Sequence, residues 1–140
     1  MLIDDFSRQN LTSSLGTKWY GISDSVMGGV SKVNVKCSLI GKRPSLVLNG
    51  DVLLENNGGF IQAALNLAMA EGVFDASTFS GIRLVVRGNY EQYSIHLRTP
   101  DNIRSWQSYR AQFTATPSWK TIDLPFSIFT AHRLDIPIDI

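Results

Sequence analysis

This 140-residue chain predicts an all-β, antiparallel fold of the sandwich or barrel type, and three features carry that expectation. Apolar residues recur with a period of two over most of the length, the segments so marked are short, and the breaks between them hold Gly, Asn and Pro instead of a helical repeat. No internal repeat, low-complexity stretch or linker divides the chain, so a single domain over residues 1–140 is expected.

The first clear strand has Val33, Val35, Cys37 and Leu39 alternating with Asn34, Lys36 and Ser38, closed by the breaker cluster Gly41-Lys42-Arg43-Pro44. Ser45 to Leu54 follows, then the turn-like Asn56-Asn57-Gly58-Gly59, then a run in which Ile61, Ala63, Leu65 and Leu67 share a face. Residues 68–80 interrupt the alternation and leave room for a helical turn. A connection at Asn89-Tyr90 makes Ile82 to Gly88 and Glu91 to Leu97 a hairpin, with Ile82 opposite Leu97, Leu84 opposite Ile95 and Val86 opposite Tyr93. A slip of one residue would set each apolar side chain against a polar one. Tyr109, Ala111 and Phe113 mark the next strand, and Trp119 to Leu124 another before Pro125-Phe126. At the end, Leu134, Ile136, Ile138 and Ile140 alternate with Asp135, Pro137 and Asp139; Pro137 confines this strand to a sheet edge, suited to adding onto another sheet within the subunit or across a homodimer.

Composition excludes several classes. With 44% hydrophobic and 18% charged residues the chain is an ordinary globular protein, and its net charge of +1 supplies no field for nucleic acid or an anionic membrane. The single cysteine, Cys37, cannot close an intramolecular bridge or build a thiolate metal site. The longest apolar run, Leu67 to Ala70, is far too short to span a bilayer. The start, Met1-Leu2-Ile3-Asp4-Asp5-Phe6, is acidic and lacks the apolar region of a secretory signal, so a cytoplasmic location is expected.

Catalytic patterns are sparse. The two histidines stand far apart in sequence and in no metal-binding spacing, and His96 reads as a solvated histidine on a polar strand face. There is no Gly-x-Ser-x-Gly elbow, and Gly28-Gly29-Val30-Ser31-Lys32 reverses the order of a phosphate loop and precedes a strand. Asp24, Asp51 and Glu55 match no EF-hand spacing. The glycine pairs Gly28-Gly29 and Gly58-Gly59 read as turn or bulge positions. No cofactor, metal or catalytic residue is expected.

One patch stands out. Between Gly81 and Phe113 lie five arginines, Arg83, Arg87, Arg98, Arg104 and Arg110, opposed only by Glu91 and Asp101, so this segment is +3 while the remainder is −2. Strand parity places Arg83, Arg87, Arg98 and Arg110 on one outer face with His96 and Gln112, and with Trp106 nearby. Guanidinium forks beside an aromatic suit a carboxylate, a sugar or an acidic partner protein. A merely solvated face is the competing account.

Several blocks together resemble the complex I intermediate-associated protein 30 family. They are Trp19, Asp24-Ser25-Val26-Met27-Gly28-Gly29-Val30-Ser31, Leu54-Glu55-Asn56-Asn57-Gly58-Gly59-Phe60, Gly81-Ile82 with Val86-Arg87-Gly88, and Tyr93 with Leu97-Arg98-Thr99. Tyr109 with Phe113, and Trp119 leading to Leu124-Pro125-Phe126 and Phe129, complete the likeness, which covers about residues 16–130. It implies an antiparallel jelly-roll β-sandwich, galactose-binding-domain-like, with no catalytic residues to carry over. Asn89 stands where the family often has Asp after Arg-Gly, and the chain stops at Ile140 where members usually continue with closing strands. The implied role is a non-catalytic binding module, a protein-assembly or chaperone-like factor that engages its partner through the arginine face and two loops. Those loops contribute Asp24, Met27, Gly28, Gly29 and Ser31, and Asn56, Asn57, Gly58, Gly59 and Phe60. The alternative is a carbohydrate-binding module using the Arg and aromatic face.

Overall fold

The computed structural model describes residues 1–23, 31–51, 60–68, 72–100, 102 and 107–132. They form nine strands: β1 (Tyr20–Ser23), β2 (Lys32–Ile40), β3 (Arg43–Asp51), β4 (Ile61–Ala64), β5 (Gly81–Val86), β6 (Gln92–Leu97), β7 (Ser108–Thr114), β8 (Lys120–Pro125) and β9 (Thr130–His132). Every pairing is antiparallel, and a 3₁₀ turn at Phe126–Ile128 joins β8 to β9. The chain is all-β, as the period-two pattern predicts, and no described helix is long and apolar enough to cross a membrane. The helical turn expected within residues 68–80 does not form in its described part. The strands divide between two compact units, Met1–Phe74 and Asp75–Ile140.

In the first unit β2 and β3 make a long hairpin from Lys32↔Asp51 to Ile40↔Arg43, closed by Gly41 and Lys42. Both turn residues have positive φ, 57° and 65°, as a type I′ turn requires to match the right-handed strand twist. The alternation of Val33, Val35 and Cys37 holds as half-buried positions against exposed Lys32, Asn34 and Lys36; Leu39, beside the turn, is exposed. β1 pairs with β4. The acidic start of the chain has a local role: Trp19 donates its indole N–H to Asp4 at 2.9 Å and lies 6.1 Å from the Phe6 ring.

The second unit is a two-layer sandwich. β5 pairs with β8, and β6, β7 and β9 form a three-stranded sheet with β7 at its centre. Tyr109 and Ala111 from β7, Leu124 from β8 and Phe129 form the buried core, with Ile82, Leu84, Ile95, Leu97, Phe113, Ile122 and Phe126 packed against it. Both sheets contribute, so they face each other across this core. Burying a side chain of this size stabilises the fold by about 1.5–3 kcal/mol each.

The expected hairpin between Ile82–Gly88 and Glu91–Leu97 is not formed. Ile82 lies opposite Leu124 and Leu84 opposite Ile122, whereas Ile95 lies opposite Ala111 and Leu97 opposite Tyr109. These pairs match apolar with apolar as well as the expected ones did, so parity alone did not select the partner. The Asn89-Tyr90 connection crosses from one sheet to the other. Gly88 donates its N–H to the Thr116 carbonyl at 2.8 Å and Tyr90 to that of Ala115 at 2.7 Å, which ties the crossing to the segment after β7. The expected edge strand Leu134 to Ile140 lies outside the described residues.

Candidate functional site

Because β5 and β6 belong to opposite sheets, the arginines do not share one wall. Arg83 lies on β5 and Arg87 just beyond it, whereas Arg98 and Arg110 belong with His96 and Gln112 on the β6–β7–β9 sheet. Arg83 is engaged: its Nε donates to Asp123 Oδ1 at 2.6 Å and a terminal N–H to Oδ2 at 3.2 Å, across a pair of directly opposed residues. That contact lowers the Asp123 carboxyl below its ordinary value and raises the guanidinium above its own. Asp123 is the counter-charge that the sequence pattern did not pair with Arg83.

Arg98 is also committed, but to its own loop. It donates to the Gln107 carbonyl at 3.3 Å and the Asn102 carbonyl at 3.2 Å, while the Thr99 N–H donates to Asn102 Oδ1 at 2.7 Å. It therefore braces the connection between β6 and β7. Arg104 and Trp106 lie outside the described residues.

The strongest constellation is the outward face of β6, β7 and β9. Alternation puts Ile95, Leu97, Tyr109, Ala111 and Phe113 against the core, so Ser94, His96, Ser108, Arg110, Gln112, Thr130 and His132 lie on the opposite face of the sheet, where His96 is exposed and Ser108 is buried among its neighbours. His96 is directly opposite Arg110, and Ser108 directly opposite His132. His96 Nδ1 lies 2.7 Å from Ser108 Oγ, and the His96 and His132 rings meet edge to face with centroids 5.7 Å apart. Ser108 is small enough for the two imidazoles to approach over the central strand. The His96 pKa is held below the ordinary imidazole value, first by desolvation, then by the charges of His132 and Arg110. Farther along the same face, Gln92 donates to Gln112 at 3.4 Å. Among the described residues this face carries no carboxylate.

Sequence separation suggested that the two histidines were unrelated; the sheet brings them together because β9 pairs with β7 at Ser108, while His96 is exposed on the polar face as expected. A third ligand is missing: among the described residues no group of three His, Cys, Asp or Glu side chains converges to hold a metal ion. The pair can donate hydrogen bonds and, once protonated, charge.

Of the loop positions, Asp24, Met27, Gly28, Gly29, Asn56, Asn57, Gly58 and Gly59 lie outside the described residues; Ser31 is buried and Phe60 half-buried at their ends. At the described flanks, Ser23 is paired with Ile61 and Lys32 with Asp51. The first unit also holds an open cleft of ≈ 620 Å³ beside Lys18, Trp19, Lys36 and Cys37. Burial and then the Asp4 charge push the Cys37 thiol up, and it donates to the Asn10 carbonyl at 2.9 Å, so it is a half-buried, neutral group.

A family model described as complex I intermediate-associated protein 30 matches residues 5–136, nearly the whole chain. No curated protein and no solved structure matches.

Proposed function

The chain belongs to the complex I intermediate-associated protein 30 family, and from that premise we propose that it is a non-catalytic module that holds a protein partner during assembly of respiratory complex I. The observation that carries the reading is the cationic outer face of β6–β7–β9. Arg110 forms no ion pair with a described residue there, and the described part of the face has no acidic side chain, so the positive charge is left for a partner to meet. Non-catalytic binding suits the same face, because among the described residues the hydrogen-bonded His96 and Ser108 have no carboxylate beside them to complete a proton relay. The described outward residues of this face are polar; Trp106, on which the sugar-binding alternative rests, lies outside the described residues.

The test is to purify tagged wild-type and Arg110→Glu proteins from cells of the native host and to resolve them on native gels probed for complex I subunits. Wild type should co-migrate with subassemblies smaller than the complete enzyme, and Arg110→Glu should lose them while melting at nearly the same temperature. Absence of complex I subunits from the wild-type material removes the reading.

A further inference from the structure

We propose that the outer edge of β2 at residues 35–37 is a strand-docking site, which takes an extended segment of the partner protein with anionic and apolar side chains in alternation. Such a contact rests on the partner-binding reading above and deepens it by a second surface, in the first unit, and by the chemistry of the segment held there.

The hairpin ladder decides which backbone groups β2 leaves unpaired. A two-residue turn at Gly41-Lys42 makes Ile40↔Arg43 a pair that exchanges both hydrogen bonds, and bonded and non-bonded pairs alternate from there. Leu39↔Pro44 is therefore non-bonded, which suits Pro44 because it has no N–H to give. Continuing the alternation makes Lys36↔Val47 bonded, and Cys37↔Leu46 and Val35↔Leu48 non-bonded. Val35 and Cys37 thus turn their N–H and C=O groups away from β3. No described strand pairs with β2 on that side. The Asn10 carbonyl accepts from the Cys37 thiol, but among the described residues no backbone hydrogen bond joins that segment to β2.

The open cleft of ≈ 620 Å³ lies along this edge. Val35, Lys36 and Cys37 all line it, and since neighbours in a strand point to opposite faces, the edge is where three in a row are presented together; no β3 residue takes part. Lys18 and Trp19 line it as well. Neither Lys18 nor Lys36 forms an ion pair with a described residue, and no carboxylate is among the described lining residues. Asp4, whose charge acts on Cys37, is engaged by the Trp19 indole and the Phe6 N–H. Val35 and Cys37 are half-buried and Lys36 is exposed, so an added strand sets every second side chain beside apolar groups and those between beside Lys36. A lysine ammonium is a compact point charge, so it selects negative charge and not the shape of the group that carries it. A second copy of this edge is a poor occupant, because Lys32 and Lys36 would meet their own counterparts.

The probe is a fluorescent, capped eight-residue peptide of alternating glutamate and valine, titrated into the purified chain at fixed ionic strength. It is compared with the same sequence carrying lysine for glutamate, and with two forms methylated on the backbone nitrogens of either the valines or the glutamates. The parent peptide should bind saturably. Only one set of its amides can face β2, so one methylated form should bind about tenfold or more weakly and the other far less so. The Lys18→Gln, Lys36→Gln double variant should bind the parent about fivefold more weakly, and Lys120→Gln, on β8, should bind it as wild type does. Amide exchange in the wild-type chain gives a second reading without any substitution. In the free protein the Val35 and Cys37 amides should exchange faster than that of Lys36, and saturating peptide should slow those two about tenfold or more while changing Lys36 little. Each of five results would overturn the site: Val35 and Cys37 amides already protected in the free chain, no binding, equal loss with both methylated forms, equal affinity for the lysine peptide, or undiminished binding by the double lysine variant. The two readings fail separately. Peptide binding that protects these amides, without capture of complex I subassemblies, leaves the site and removes the assembly role, whereas capture without peptide binding does the reverse.

Discussion

His96 and His132 come from the two outer strands of a three-stranded sheet, yet their rings meet at 5.7 Å between centroids because the residue between them on β7 is Ser108. The His96 midpoint is depressed below its unfolded value, by desolvation first and then by His132 and Arg110. The unfolded chain therefore takes up the proton first as pH falls. This contribution to stability is fully present above the ordinary imidazole midpoint and is lost as pH drops through it toward the depressed one. The melting temperature of the free protein should be higher at about pH 8 than at about pH 5.5, a window above the range where carboxylates titrate. His132→Asn removes one repelling charge, so the His96 resonance should titrate at higher pH and the difference in melting temperature should shrink. A wild-type melting temperature that rises on acidification contradicts this account.

Arg98 and Arg110, equivalent by strand parity, should separate cleanly on substitution. Arg98 donates to two carbonyls of the β6–β7 connection, so Arg98→Ala leaves acceptors to be satisfied by water and should cost about 1 kcal/mol. Arg110 makes no comparable bond, and Arg110→Ala should stay within about 0.5 kcal/mol of wild type. Urea denaturation of both variants decides it; equal losses would mean that Arg98 does not brace the loop.

The unequal legibility of the chain has physical causes. Alternation shows which residues of a strand point inward, and it placed Tyr109, Ala111, Phe113, Ile95 and Leu97 correctly against the core. It is silent on which strand lies alongside. Leu84 is as well served by Ile122 as by Ile95, and only the crossing of Asn89-Tyr90, tied to the Thr116 and Ala115 carbonyls, decides between them. That one pairing error merged two surfaces: it set Arg83 beside His96 and hid Asp123, the residue that neutralises it. The His96–His132 contact was likewise invisible, because it depends on β9 pairing with β7, and three residues beyond a 3₁₀ turn carry almost no periodic signal. The family motif blocks were easier to read, since their specificity lies in residue identity and not in pairing.

Gly81 tests the β5–β8 pairing directly. A Cβ built there would lie 2.5 Å from the Leu124 carbonyl oxygen and 2.7 Å from Pro125 Cα, both backbone atoms of the partner strand. Gly81→Ala must push the strands apart and should destabilise by about 1–3 kcal/mol. Gly21→Ala is the control: the nearest atoms to its new methyl would be those of the Val33 and Val35 side chains at 3.2 Å, which can give way, so the cost should be smaller. If β5 instead paired with β6, Gly81 would have no such neighbour and the two substitutions would not rank in this order.

Lys42 offers the opposite sign. It occupies the second position of the β2–β3 turn at φ 65°, where a side chain clashes with its own backbone and glycine does not. The ladder around it is complete, from Ile40↔Arg43 to Lys32↔Asp51, so the strain is stored locally and is held by the pairing on either side. Lys42→Gly should relieve it. Glycine also gives the unfolded chain more freedom, which works against the gain, so the net stabilisation should be about 0.5–1 kcal/mol. Lys42→Val isolates the folded-state effect, because a β-branched residue tolerates positive φ worse than lysine does and should destabilise. Thermal melts that place Gly above Lys and Lys above Val support the type I′ turn. A Val variant as stable as wild type would mean that the hairpin closes through some other pair of residues.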